Sequence, residues 1–219
     1  MSLPTPGSLP SDIARAISKE EIAGLPIGGY EGGICLVRTA LDLERAREDL
    51  CREPLVGFDT ETRPSFKKGN THSPCLIQAA TAHTVYLFRL RQESDFEVPG
   101  QLIANPDVLK IGIGLADDIR ALKLVRPLEH QNMCDLGAVA KHCGLAQSGV
   151  RNLAALFLKI RIPKSIKTSN WAAPELSTAQ IRYAATDAWI CRELFLRFRE
   201  LGMITSTPVR GPDKDETMA

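Results

Sequence analysis

The chain is short of most features that would announce a specialised environment. Of its 219 residues only two are Trp, three Tyr and seven Phe. Extended aromatic stacking surfaces therefore have few residues to be built from. No window approaches the roughly 18 uninterrupted apolar residues of a membrane span, and no basic segment followed by an apolar run reads as a secretory leader. A soluble, cytoplasmic protein is expected. Neither sign of charge dominates: 27 Lys and Arg stand against 26 Asp and Glu. Net charge thus neither announces nor excludes a polyanionic partner. The six cysteines, at 35, 51, 75, 134, 143 and 191, form no C-x-x-C pair. Cys75 in PCLIQAA and Cys191 in AWICREL lie in apolar stretches, which reads as reduced, mostly buried thiols in an intracellular protein. Cys134, His142 and Cys143 lack a fourth ligand for zinc, and the four histidines show no ligand spacing.

What is present is ordinary globular composition with a readable order of elements. The Pro- and Ser-rich opening MSLPTPGSLP is expected to be mobile. Ser11 and Asp12 are placed to open a short helix, and SKEE at 18–21 is a capping box for another. Gly33–Val37 reads as a strand and Leu41–Cys51 as an amphipathic helix with Leu43, Ala46 and Leu50 inward. Three strands follow, Leu55–Glu61, Pro74–Ala80 and Thr84–Phe88. Their short turn-rich links predict antiparallel pairing. Helices are expected at Val98–Ala104, Ala116–Leu124 and Val150–Leu158, a strand at Val108–Gly112, and a short strand and helix within Met133–Cys143. Ser177 and Gln180 box the start of a last long helix reaching about Leu201. The order predicts an α/β domain with a mixed sheet: three antiparallel strands, then parallel ones, flanked by helices. Its bounds read as a partly helical extension over 1–32, the domain over 33–204 and a disordered tail over 205–219.

Three acidic features carry chemistry. Asp59 and Glu61 in VGFDTETRPSF stand at a strand end, two residues apart and so on one face. Like charges that close resist ionising together. In IGIGLADDIRAL, Asp117 and Asp118 open a helix, where capping alone would explain them. In LSTAQIRYAATDAWICREL, Tyr183 and Asp187 share a helix face, where a structural hydrogen bond would suffice. Should these acids converge, they need cations, and hard carboxylate oxygens suit Mg²⁺ or Mn²⁺.

These segments resemble, in order, the three motifs of the DEDD superfamily of 3′–5′ exonucleases: DTE at 59–61, GIGLADDIRAL with Asp118 four residues before Leu122, and YAATD at 183–187 in its Tyr-x-x-x-Asp form. VGFDTE…PCLIQAAT…TVYLF and KSIKTSNW…LSTAQIRYAATDA resemble the exonuclease domain of the Werner-syndrome helicase type and, more loosely, RNase D, over roughly residues 33–200. The resemblance implies an RNase H-like fold and hydrolysis of phosphodiester bonds at nucleic-acid 3′ ends by two metal ions. Asp59, Glu61 and Asp187 would hold one ion, and Asp59 would bridge to a second supported by Asp118. Asp117 competes for that role, and the family spacing favours Asp118. Tyr183 would orient the nucleophilic water, which sets the chain in the tyrosine subclass, since Arg182 stands where the sister subclass has His. The products would be 5′-mononucleotides and the substrate single-stranded or recessed 3′ ends, DNA somewhat before RNA. A catalytically idle nucleic-acid-binding module is the competing class. Thr60, Thr62, Lys164, Ser169 and Trp171 are the candidate nucleic-acid contacts. Trp171 offers either a base-stacking ring or a packing one. Lys67, Lys68, Lys159, Arg161, Lys164 and Lys167 read as a phosphate track or as solvated loops.

Overall fold

The computed structural model describes residues 5–64, 72–163 and 169–205. Along these the chain runs β1 (Thr5–Pro6), α1 (Lys19–Ala23), β2 (Gly33–Leu36), α2 (Ala40–Arg52), β3 (Leu55–Thr62), β4 (Pro74–Ala80), β5 (Thr84–Arg89), α3 (Glu97–Ala104), β6 (Leu109–Gly112), α4 (Leu115–Val125), β7 (Met133–Asp135), α5 (Leu136–His142), α6 (Val150–Leu153), α7 (Thr178–Glu200) and β8 (Ile204–Thr205). A six-stranded sheet has the order β2-β5-β4-β3-β6-β7. The β3–β4 and β4–β5 pairs are antiparallel, and every other pair in it is parallel. This is the RNase H-like mixed sheet expected. Its topology has one consequence for function. All strands but β4 point the same way, so their carboxyl ends line a single edge.

Alternation along the strands builds the two faces. Val56, Phe58, Ile77, Tyr86 and Phe88 point into a core covered by α2, α3 and α4, where Ala46, Leu50, Leu102 and Ile119 meet them. Leu76, Val85 and Leu87 point the other way, against Ala184, Ala185 and Ala188 of α7. Burying each large side chain contributes about 1.5–3 kcal/mol. The alanines let α7 come close to the sheet, and Gly57 lets it come closer still. A Cβ at Gly57 would sit 2.0 Å from the Ala188 carbonyl oxygen. The missing methyl therefore sets the height of α7 above β3.

Helix α7 starts where its capping box predicts. Gln180 N–H donates to Ser177 Oγ at 3.2 Å, and Ser177 N–H donates to Gln180 Oε1 at 2.9 Å. Its far half enters a second core with Leu153, Phe157 and Phe195, in which Phe157 and Phe198 meet edge-on at 4.8 Å. No described helix is long and apolar enough to cross a membrane.

Several expectations need correction. Residues 5–6 are held rather than mobile: β1 pairs antiparallel with β8, and Gly7 N–H donates to the Met203 carbonyl. That pairing also takes Thr205 out of the expected tail; residues 206–219 lie outside the described residues. Ser11 and Asp12 form a turn instead of opening a helix, because Pro10 accepts from Ile13 and no ladder continues. Leu9, Ile13, Ile17 and Ile22 then pack into the second core, so burial holds this segment without regular structure. The expected helix Val150–Leu158 changes to a π turn over Ala154–Leu158, ending at Lys159 with φ 57°.

Candidate active site

β3 delivers its acids by simple alternation. Gly57, facing α7, is followed on that face by Asp59 and Glu61, while Thr60 points to the opposite side. Asp187 immediately precedes Ala188, the residue whose carbonyl meets Gly57. The close approach of helix and strand therefore brings a third carboxylate to the first two. One oxygen from each of Asp59, Glu61 and Asp187 lies within 4.8 Å of the others. Asp187 is buried and the other two half-buried. Between Glu61 and Thr62 the register slips, so Thr62 leaves the regular ladder at the end of β3.

Asp118 reaches the same edge from the first turn of α4. Gly114, with φ 85°, makes the left-handed turn that starts this helix. Thr60 Oγ1 donates to Asp118 Oδ1 at 2.6 Å, which ties the helix to the far face of β3. Asp117 turns to solvent and pairs with Arg120 at 2.7 Å. The two neighbouring acids are thus separated by geometry: Asp118 is turned in to Thr60 and Asp117 out to solvent, while the three carboxylates within 4.8 Å of one another are Asp59, Glu61 and Asp187.

Asp135 belongs to this edge too and was not singled out from the sequence. At the end of β7 its Oδ1 accepts from Gly137 N at 2.8 Å and Ala138 N at 3.2 Å, capping α5. Its Oδ2 accepts from Gly114 N at 3.1 Å, bracing the turn that presents Asp118. The signal was available: an Asp directly before the apolar run LGAVA is an N-cap pattern.

The electrostatics follow from crowding. Burial, then the charges of Asp187, Asp118 and Glu61, push the Asp59 carboxyl well above its ordinary range. Burial raises Asp118 to about 6, with the Thr60 hydrogen bond opposing the shift. Tyr183, half-buried, donates to Asp187. Burial and then the Asp187 charge raise its hydroxyl further above an already high value, so it keeps its proton at neutral pH. Carboxylates crowded in this way cost stability when they ionise together.

The nucleic-acid candidates divide. Trp171 is fully buried, its ring 6.1 Å from that of Tyr183. Burial removes its face from any passing base, so base stacking gives way to a packing role. Thr60 spends its hydroxyl on Asp118 rather than facing outward. Ser169 Oγ accepts from Gln180 Nε2 at 3.1 Å, anchoring the chain before α7. Arg161 is drawn into a bridge with Ile27. Lys67, Lys68, Lys164 and Lys167 lie outside the described residues.

An RNase H-like domain with a carboxylate cluster at its carboxyl edge defines the class of protein. Residues 35–202 match the family model described as 3′-5′ exonuclease, and the chain belongs to that family. Ribonuclease D of Gluconacetobacter diazotrophicus is 32% identical over 164 residues, which cover 73% of this chain and 41% of that protein. The bifunctional 3′-5′ exonuclease/ATP-dependent helicase WRN of Mus musculus is 28% identical over 189 residues, covering 81% of this chain and 13% of that one. The chain thus spans less than half the length of these curated relatives. The crystal structure of the Aedes aegypti Nibbler EXO domain superposes with a TM-score of 0.69 at 24% identity, covering 80% of this chain and 91% of that one; this likeness shows the fold.

Proposed function

We propose that residues 33–204 form a 3′–5′ exonuclease domain that releases 5′-mononucleotides from nucleic-acid 3′ ends, with 1–32 as an extension whose described residues pack into the second core. One observation carries this reading: within a 3′-5′ exonuclease family, Asp59, Glu61 and Asp187 bring ligand oxygens within 4.8 Å of one another. The donors are all hard carboxylate oxygens, which fits Mg²⁺ or Mn²⁺ rather than a soft metal. Two such ions, when bound, would supply an activated water and a countercharge for the departing 3′ oxygen.

The chain's own residues take the remaining roles. Asp59, Glu61 and Asp187 would hold one ion, and Asp59 with Asp118 the other. Thr60 is a positioning residue that orients Asp118 through its 2.6 Å hydrogen bond. Tyr183, kept protonated, would orient the attacking water instead of abstracting its proton. This is the tyrosine-type arrangement. The Werner-type motifs favour DNA as the polymer. RNA 3′-end trimming is a second reading, supported by the Ribonuclease D relative. Six free cysteines, three of them buried, support a reducing intracellular setting.

The test is a matched panel of 3′- and 5′-labelled DNA and RNA, single-stranded and recessed, with Mg²⁺ and Mn²⁺. Labelled mononucleotide should leave the 3′ end first and only with metal. Cutting of a circular single strand, or no release from any substrate, would overturn the reading.

A further inference from the structure

The carboxyl edge of the sheet carries a second cluster of like charges. Glu61 pairs in register with Leu76, and Leu76 with Arg89. Arg89 therefore stands two strands from the acid cluster on the same face, roughly 10 Å away at ordinary strand spacing. Arg91 follows it, and Arg38 follows β2, whose carboxyl end lies beside that of β5. The three guanidiniums line a cleft of 460 Å³.

Their partners do not neutralise them. Arg89 donates to the Pro174 and Ala173 carbonyls, and Arg91 to the Pro174 carbonyl. Carbonyls fix a guanidinium without cancelling its charge. Among the described residues neither Arg89 nor Arg91 has a carboxylate at ion-pair distance, and Arg89 Nε is buried without a hydrogen-bond partner. Arg38 pairs with Glu175 at 3.1 Å, but both side chains are largely exposed, so this pair is weak and exchangeable. The other acid of the cleft, Asp95, accepts through Oδ2 from the backbone N–H groups of Arg91 and Gln92 and through Oδ1 from Gln92 Nε2 at 3.4 Å, so it is held by its own turn and pairs with none of the three arginines. Burial first, then the Arg91 charge, lowers the Arg89 pKa, as expected of crowded cations.

We propose that Arg38, Arg89 and Arg91 form a phosphate track that holds the backbone of a nucleic-acid strand upstream of the 3′ end lying in the acid cluster. The proposal rests on the exonuclease reading above. Guanidiniums pinned in place by carbonyls present forks to phosphate oxygens at little further entropic cost. Arg38 would exchange Glu175 for a phosphate. The track takes a phosphodiester backbone and reads no base, so it serves DNA and RNA alike.

Arg38→Gln/Arg91→Gln tests it. Binding of 5′-labelled single strands, followed by fluorescence anisotropy in EDTA, reads the track without turnover. Loss of two phosphate contacts should shallow the slope of log affinity against log salt by about 1.4. It should weaken a 12-mer roughly tenfold, with a smaller loss for a tetramer. KM for the 12-mer should rise in step. Arg38→Lys/Arg91→Lys should restore the salt slope, and Arg197→Gln, at the far end of α7, should leave binding as in wild type. An unchanged slope and KM in a folded Gln variant would overturn the track, leaving the arginines as a clamp on residues 173–175. So would equal losses for tetramer and 12-mer. Should the wild type release no nucleotide, the exonuclease reading fails, while anisotropy still decides the track.

Discussion

The acid corner and the arginine cleft pose the same electrostatic problem two strands apart and solve it differently. Around Asp59 the like charges are partly or wholly buried, and the cheapest relief for the bare protein is to keep a proton: Asp59 is pushed well up and Asp118 to about 6. Around Arg89 the charges stay charged, since a guanidinium does not give up its proton in a protein, and the Pro174 carbonyl accepts from both Arg89 and Arg91, holding the two side by side. The first cluster is assembled from β3, α4 and α7; the second lies at neighbouring strand ends and clamps the chain before α7. The difference teaches where each kind of ligand belongs. A compact, desolvated anionic pocket suits small divalent cations, and a fixed, half-open cationic cleft suits a chain of phosphates.

The sharpest way to break the comparison is to remove one charge from the acid corner. Asp59→Asn should reduce nucleotide release by at least about 10³-fold. The same change should raise the melting temperature of the metal-free protein, because the crowded carboxylate is gone. A variant that keeps nucleotide release would remove Asp59 from the site. Next comes geometry. Gly57→Ala forces a methyl against the Ala188 carbonyl, so α7 must move. It should cost about 1–3 kcal/mol in urea unfolding and lower kcat, through displacement of Asp187, with all acids intact. An unaltered kcat would mean that the height of α7 is unimportant.

A titration sharpens the contrast further. Asp59 and Asp118 have folded pKa values above their unfolded ones, so the native state binds more protons. Their contribution to stability is full below about pH 4 and is lost as pH rises, through about 6 for Asp118, with the raised Asp59 acting in the same direction. Metal-free protein should therefore lose melting temperature between pH 5 and 7 through these groups. Mn²⁺ at roughly 100 times its Kd should return about 2.7 kcal/mol at neutral pH. Equal protection of wild type and Asp187→Asn would contradict the assignment of Asp187 as a ligand. The smallest effect separates neighbours. Asp118→Asn should depress activity strongly, whereas Asp117→Asn removes only an exposed partner of Arg120. The reverse order would exchange their roles.

The acid corner was far more legible than the cleft. Asp59, Glu61, Tyr183 and Asp187 sit at spacings that strand and helix periods place on shared faces, so local rules found them. The mixed sheet could be read because β4 and β5 are joined by a short turn and the parallel strands by helices. Asp135 escaped because a cap looks like any other cap until the topology sets β7 beside β6. Arg38, Arg89 and Arg91 escaped for a related reason: nothing local says that the ends of β2 and β5 are neighbours. Trp171 stood between stacking and packing because its place in an SNW segment says nothing of its depth, and its burial decides for packing. Residues 5–6 misled because Pro and Ser composition reads as mobility, while the pairing that holds them comes from the other end of the chain.

That pairing has a mechanical meaning. β1 and β8 are antiparallel, with Thr5 opposite Thr205 and Pro6 opposite Ile204. A pull applied outward at these two ends would load the ribbon as a zipper, one pair at a time, instead of shearing all its bonds together. The ribbon would then open at low force while the six-stranded sheet still bears none. Ile204 of the ribbon shares a core with Ile13 and Ile17, and Gly7 is bonded to Met203. Tension on the ends would thus peel an outer strap before it reaches the acids, so the first mechanical event in this domain would leave its chemistry in place.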